Sequence, residues 1–363
     1  MAHGGYRPVA VDVTGFWRPQ LQGCPTTHYH AEAGRALPAI PLGLVARIGR
    51  AGGQRLALLR TIVRADAADP RPGAQERLLV RAAVARCADE EALVLDAGFG
   101  VALLQEEGAT RYVVRLAKNS TFRRATPPAY AGRGRPATRG DLVRPLPRTY
   151  KGRVIAATPP DRVETWEEDG VTLRAQVWTD LVLPAASAAA KGAVEAAAKG
   201  AVEAKGPTFS VVAVYDPRHR EPLLLASPLP VTARVLRALY RDRWPVEQLP
   251  LAAKQMLGAA RAFVHAPETC QRLPDLALLA GAILSYVAAT APALPTGFWD
   301  RRPQPTPGRL RRALARLPFP HDFPLPTHIR VKRSRTDHLP MGFWGQRCHR
   351  APPEAPIPLD QAA

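Results

Sequence analysis

The order of apolar runs in the first 116 residues constrains the fold more than any other feature of this chain. Arg7 to Gly15, Ala39 to Ile48 and Arg55 to Val63 read as three strands, with the Ala-Gly-Gly at 51–53 as the turn between the last two. Pro72 to Cys87 repeats Leu78, Leu79, Ala82, Ala83 and Cys87 at helical spacing. Ala92 to Leu95 is a fourth strand ending at Asp96, Leu103 to Glu107 a short helix, and Arg111 to Leu116 a fifth strand. Three strands followed by helix, strand, helix and strand predict an α/β domain.

A chain of 363 residues has room for a sizeable core and for two or three domains. Its 46% apolar content argues against a disordered chain. The formal net charge of +19 favours a polyanionic partner, because each cation that neutralises a phosphate releases a counterion. A general bias toward arginine gives the same number. The four cysteines form no Cys-x2-Cys pair, so they indicate neither a zinc ribbon nor a disulfide framework, and they suit a reducing cytosol. His28 and His30 near Cys24, and Cys348-His349 with His338, match no metal-ligand spacing. The N-terminus shows no signal peptide. The most apolar stretch, Leu276 to Ala289, is shorter than the ~20 residues of a membrane span and predicts a buried helix. No membrane partner and a cytoplasmic location are expected.

Beyond Asn119 the pattern changes. Nine basic residues and one acid lie between Arg123 and Arg153, among many prolines and glycines. Val163 to Trp166 and Val171 to Leu183 read as a hairpin. An eight-residue repeat begins at Lys191 and again at Lys199, and reads as a local duplication in an exposed loop or short helix. Phe209 to Tyr215 and Pro222 to Ala226 return to strand character, and Val231 to Gly258 is mostly helical despite Pro245 and Pro250. After Leu294 the chain is rich in proline and arginine, and its last dozen residues read as disordered.

Three acids stand where metal chemistry needs them. Asp12 interrupts an apolar strand, Asp96 ends one just before Gly98-Phe99-Gly100, and Glu247 lies in the later helical segment. Open α/β sheets bind ligands outside the carboxyl ends of their strands, so two strand aspartates and a helix glutamate suit hard cations. An aspartate at a strand end is equally an ordinary turn former. Around Glu247 stand Tyr240, Arg243 and Lys254. At about 100° per residue, all four side chains fall within an arc of roughly 60° of one helix. One acid, two cations and a phenol on one face suit a metal ligand beside phosphate-gripping groups. A charged, solvent-facing helix has the same pattern. The shared face depends on the helix tolerating Pro250, while Pro245 suits the opening position of a fresh helix.

The spacing Tyr-x2-Arg-x3-Glu-x6-Lys, here YRDRWPVEQLPLAAK over 240–254, resembles the signature of bacterial insertion-sequence transposases of the family-four type. Asp96 in LVLDAGFG resembles the second aspartate of these DDE enzymes, and Asp12 in VAVDVTG the first. The resemblance covers roughly residues 8–290. It implies a ribonuclease-H-like core, a mixed five-stranded sheet with flanking helices, with a β-rich insertion before the last catalytic helix. The core is expected over 1–120 and 208–294, the insertion over 121–207, and a basic, proline-rich C-terminal segment over 295–363.

By the same resemblance Asp12, Asp96 and Glu247 hold two Mg²⁺ or Mn²⁺ ions, and Tyr240, Arg243 and Lys254 contact DNA phosphates. The implied activity is cut-and-paste transposition of double-stranded DNA by a homodimer. Trp166 and Trp178 on the expected hairpin are candidates for stacking on a flipped base; core packing is the competing role for each. Arg123, Arg124, Arg133 and Arg135 are candidates to follow the DNA backbone, or form a solvated basic loop. Transposases of this type carry an N-terminal domain for the element's ends, and a first aspartate at residue 12 implies a chain without it. A catalytically silent DNA-binding remnant and a nuclease that cuts without joining are the alternatives.

Overall fold

In the computed structural model, β1 (Arg7–Trp17) lies between β3 (Arg35–Ala51), antiparallel, and β5 (Glu91–Leu95), parallel. The structure describes residues 2–17, 26–69, 71, 73–129, 139–184, 207–259, 267–295, 298–315 and 317. Met1–Ala313 form one compact unit and Leu314–Ala363 a second. On the far side of β3 runs β4 (Gln54–Arg64), joined to it by a tight turn at Gly52-Gly53. Beyond β5 comes β6 (Tyr112–Arg115), also parallel. The run β4-β3-β1-β5-β6 thus combines three antiparallel strands with two further strands parallel to β1.

Every residue of β5 is buried, as befits a parallel strand covered on both faces. One cover consists of α1 (Ala74–Val84) and α2 (Val101–Glu106), whose Leu79, Val80, Ala83 and Leu104 pack with Val9, Val11, Leu93 and Leu95. The opposite face carries Ala10, Phe16, Ala92 and Val94. It is covered by α3 (Ala233–Arg241), by α4 (Gln248–Leu251) and by the long α5 (Pro267–Thr290). Gly52, at φ +55°, lets the β3–β4 turn meet the end of α5: a Cβ there would lie 1.8 Å from the Ala289 carbonyl oxygen. A further helix, α6, spans Pro307–Leu314 and is the last among the described residues.

The β-rich part does not stand apart from this sheet. β11 (Arg162–Glu168) and β12 (Val171–Val182) form the expected hairpin. β12 pairs with β13 (Phe209–Tyr215), β13 with β14 (Leu223–Ser227), and β14 with β6. Together with β2 (Thr27–His30), β7 (Phe122–Arg124) and β8 (Leu142–Val143) they make one mixed sheet of 12 described strands. A separate two-stranded ribbon, β9 (Arg148–Tyr150) with β10 (Arg153–Ile155), lies in the basic stretch. The chain is therefore an α/β protein with a mixed sheet, wider than the five strands anticipated. The repeat at 191–206 lies outside the described residues.

α5 departs from the buried helix expected of Leu276 to Ala289. It is 24 residues long, and by length and composition alone it could cross a membrane. One side packs Cys270, Ala277, Leu278 and Ala288 inward, while Leu276, Leu279 and Ile283 face outward and exposed. Arg64 ties it to β4 through the Gln271 side chain at 2.8 Å and Asp275 at 2.5 Å.

At the start of β5, the Glu91 carboxylate is buried and grips the Arg60 guanidinium of β4 with bonds of 2.7 and 2.5 Å. Burial works against this charge, and Arg60 with the Ala88 N–H outweighs it, so the carboxyl pKa is lowered. Removing one partner leaves the other uncompensated. Glu91→Ala is therefore expected to cost about 3 kcal/mol of unfolding free energy in urea titration. A loss below about 1 kcal/mol would mark the pair as a surface contact of little weight.

Candidate functional site

The two aspartates meet through strand register. Val11 pairs with Leu95 in the parallel β1–β5 ladder, so Asp12 and Asp96 come next on their strands, side by side. Neighbouring strands run about 4.8 Å apart, and paired residues share a face. That face is the one bearing Ala10 and Val94, which are themselves paired. Asp96 also does the ordinary work of a turn former: its Oδ1 accepts the Gly98 N–H at 2.9 Å.

Glu247 arrives on the same side by a segment that is not the uniform helix expected. α3 ends at Arg241, a 3₁₀ turn spans Trp244–Glu247 with Pro245 in its first turn, α4 covers only Gln248–Leu251, and a π-helical turn follows over Ala252–Met256. The two prolines account for the breaks. Each lacks an N–H and collides with the carbonyl four residues back, so the ladder tightens at one and widens after the other. Val246, Leu249 and Ala253 still anchor the segment on Ala10, Leu42 and Leu44.

Tyr240, Arg243 and Glu247 stay together despite the breaks. The Arg243 guanidinium stands 5.8 Å from the Tyr240 ring centroid and donates through Nη2 to Glu247 Oε1. Arg243 is nearly buried, at 12% side-chain exposure, and Glu247 is open at 41%. Burial opposes the Arg243 charge, and Tyr240, Glu247 and Asp12 around it outweigh that, raising its pKa. Lys254 turns toward β1 instead, where its Nζ donates to Thr14 Oγ1 at 2.7 Å. Its pKa is lowered to about 8 by burial, with Asp12 opposing.

Asp12 registers all of these charges. Its carboxyl is raised to about 6, first by burial, with Arg243 pulling it down and the Asp96 and Glu247 carboxylates pushing it up. The structure therefore brings the three acids into one electrostatic neighbourhood. Among the described residues, however, no three His, Cys, Asp or Glu side chains form a closed ligand cluster. Like charges repel, and Glu247 has Arg243 as its partner. The donor set, three hard carboxylates, fits Mg²⁺ or Mn²⁺ in chemistry. An open groove of about 610 Å³ includes Arg243 in its lining, with Arg115, Arg220, Tyr240 and Trp244 alongside the acids Asp216 and Glu221.

The remaining candidates divide. Trp178 is fully buried and its Nε1 donates to the carbonyls of Thr158 and Pro159 at 3.1 and 3.0 Å, so no face is left for a base. Its place on an inward position of β12 makes it core. Trp166 is half-buried against Leu173 and Leu236, with Nε1 3.3 Å from Glu168 Oε2. Arg124 is held by both oxygens of Asp161, at 2.7 and 2.5 Å, and its charge is used within the fold. Arg123 donates to the Gly140 carbonyl at 3.1 Å. Arg133 and Arg135 lie outside the described residues, as do Cys24, His338, Cys348 and His349. Thr14, Phe16 and Trp17 were not among the residues expected beside Lys254. The available signal was period two: Thr14 and Phe16 share the face of Asp12.

The raised Asp12 pKa has a consequence for stability. The native carboxyl holds its proton up to about pH 6, against 3.8 for the free group, so ionising it costs the fold free energy as pH rises through this window. In metal-free buffer at pH 7, Asp12→Asn is expected to stabilise the protein by up to about 3 kcal/mol, and the gain should vanish below about pH 4. Denaturation midpoints across that range check it; a gain independent of pH would show that the surroundings of Asp12 leave its carboxyl unperturbed.

The sequence matches no family model and no curated protein.

Proposed function

We propose that this chain is a metal-dependent DNA transposase with a ribonuclease-H-like core, in which Asp12, Asp96 and Glu247 are the metal-binding acids. The observation that carries the reading is the β1–β5 register, which sets Asp12 and Asp96 side by side, with the segment that bears Glu247 seated on the same face of β1. The strand run β4-β3-β1-β5-β6, with helices on both faces, supports the core assignment. The excess of cations and the groove beside Arg243 support double-stranded DNA as the partner. A homodimer acting on two DNA ends, in the cytoplasm at the nucleoid, belongs to the same proposal.

A bound pair of divalent cations would lower the pKa of a water or 3′ hydroxyl and stabilise the leaving oxygen. The chain's own groups do the rest. Arg243 and Lys254 hold phosphate oxygens, and the Tyr240 ring near the guanidinium favours its charge. Arg243 is bonded to Glu247 in the free protein, so a phosphate that takes Arg243 also frees Glu247. Hydrolysis forms a bond from water oxygen to phosphorus and breaks the bond to the 3′ oxygen. The freed 3′ hydroxyl then attacks a target phosphate, whose own 3′ oxygen leaves.

A second reading, a DNA-binding protein without turnover, is favoured by one observation: Glu247 is engaged by Arg243, and the acids form no closed cluster among the described residues. Incubation with Mg²⁺ and duplex DNA carrying the sequences that flank the coding region separates the two. The transposase reading expects nicking followed by strand joining, with cutting lost in Asp96→Asn while DNA binding persists. Nicking that never proceeds to joining would indicate a nuclease, and binding with neither step would indicate the silent protein. Undiminished cutting by Asp96→Asn would refute the assignment of the acids.

A further inference from the structure

Lys254 is half-buried beside β1 with an unusual set of neighbours. Its Nζ lies 2.7 Å from Thr14 Oγ1, 4.6 Å from the Trp17 ring centroid and 5.1 Å from that of Phe16. Among the described residues it makes no salt bridge; its one hydrogen-bond partner is this neutral hydroxyl. A partly desolvated ammonium without a carboxylate in ion-pair contact is a cost to the fold unless the charge serves a ligand.

We propose that Thr14 and Trp17 are positioning residues, which hold the Lys254 ammonium beside Asp12 for contact with a DNA phosphate. The inference rests on the reading of the site as a DNA-processing centre and adds residues outside its signature.

Three features support it. A free lysine samples many rotamers on its four-carbon stem, whereas a hydroxyl and two ring faces from one strand select a single placement. An ammonium has three donors and Thr14 takes one, so donors remain for phosphate oxygens. Trp17 is itself secured: its Nε1 donates to the His28 carbonyl at 3.3 Å, and the His30 ring meets it edge-on with centroids 4.7 Å apart. Gly15 lets this arrangement close, since a Cβ there would lie 2.5 Å from the His28 ring. Strand β2, paired to β3, thereby braces the end of β1 that carries the clamp.

A double-mutant cycle tests the proposal, read as fluorescence anisotropy of a labelled mixed-sequence DNA duplex in EDTA. Thr14→Val and Trp17→Leu should each weaken binding roughly threefold to tenfold. Neither should weaken it further in a Lys254→Met background, while Thr14→Ser and Trp17→Phe should bind close to the parent. Full losses that persist without Lys254, or no loss when it is present, would overturn the proposal. If Trp17→Leu lowers the melting temperature, the Thr14 pair carries the test. A protein that shows the cycle but never cuts DNA with Mg²⁺ keeps the clamp and loses the transposase reading. One that cuts while the effects are additive keeps that reading and loses the clamp.

Discussion

The parallel pairing of β1 with β5 is the constraint on which the rest of this molecule depends. Because Val11 faces Leu95, the next residue on each strand is an aspartate, and both stand where the β1–β5 pairing ends, while β1 runs on to Trp17 against β3. A slip of one residue would send Asp12 to the opposite face, among the leucines under α1 and α2. The register is held by what flanks it. Val9, Val11, Leu93 and Leu95 are buried on one side and Ala10, Ala92 and Val94 on the other. Glu91 fastens the far end of β5 to Arg60 of β4, across β1 and β3.

Onto this end of the sheet the 240–256 segment lowers charges of both signs. Its backbone changes from α to 3₁₀, back to α, and then to π, yet its apolar residues remain seated on β1 and β3. The irregularity distributes the polar side chains. Arg243 and Glu247 stay four residues apart as an ion pair, while the wider π turn carries Lys254 to Thr14. Arg243 offsets the mutual repulsion of the carboxylates, and Asp12 nevertheless keeps a raised pKa because burial dominates.

Most of the core elements were legible in the sequence, since long apolar runs and helical spacing survive in any context. β1, β3 and β4, α1 and β5, and the β11–β12 hairpin appear close to their expected positions. What escaped were β2 and the short strands β7 to β10, which are too brief to show a period. The junction between β14 and β6, which fuses the β-rich part into the main sheet, also escaped, because pairing between distant strands leaves no local mark. Trp178 and Trp166 look alike on a hairpin, and only packing shows that the first is wholly interior.

By itself the sequence determined the α/β order, the basic character, and the identities and spacing of Asp12, Asp96, Tyr240, Arg243, Glu247 and Lys254. Local preferences and side-chain chemistry suffice for these, because they act over a few residues. Only the tertiary structure decided that Asp12 stands next to Asp96, that Arg243 occupies Glu247, and that Thr14, Phe16 and Trp17 surround Lys254. Those are relations between segments up to 240 residues apart, set by strand register and by two prolines that bend a helix away from its ideal period.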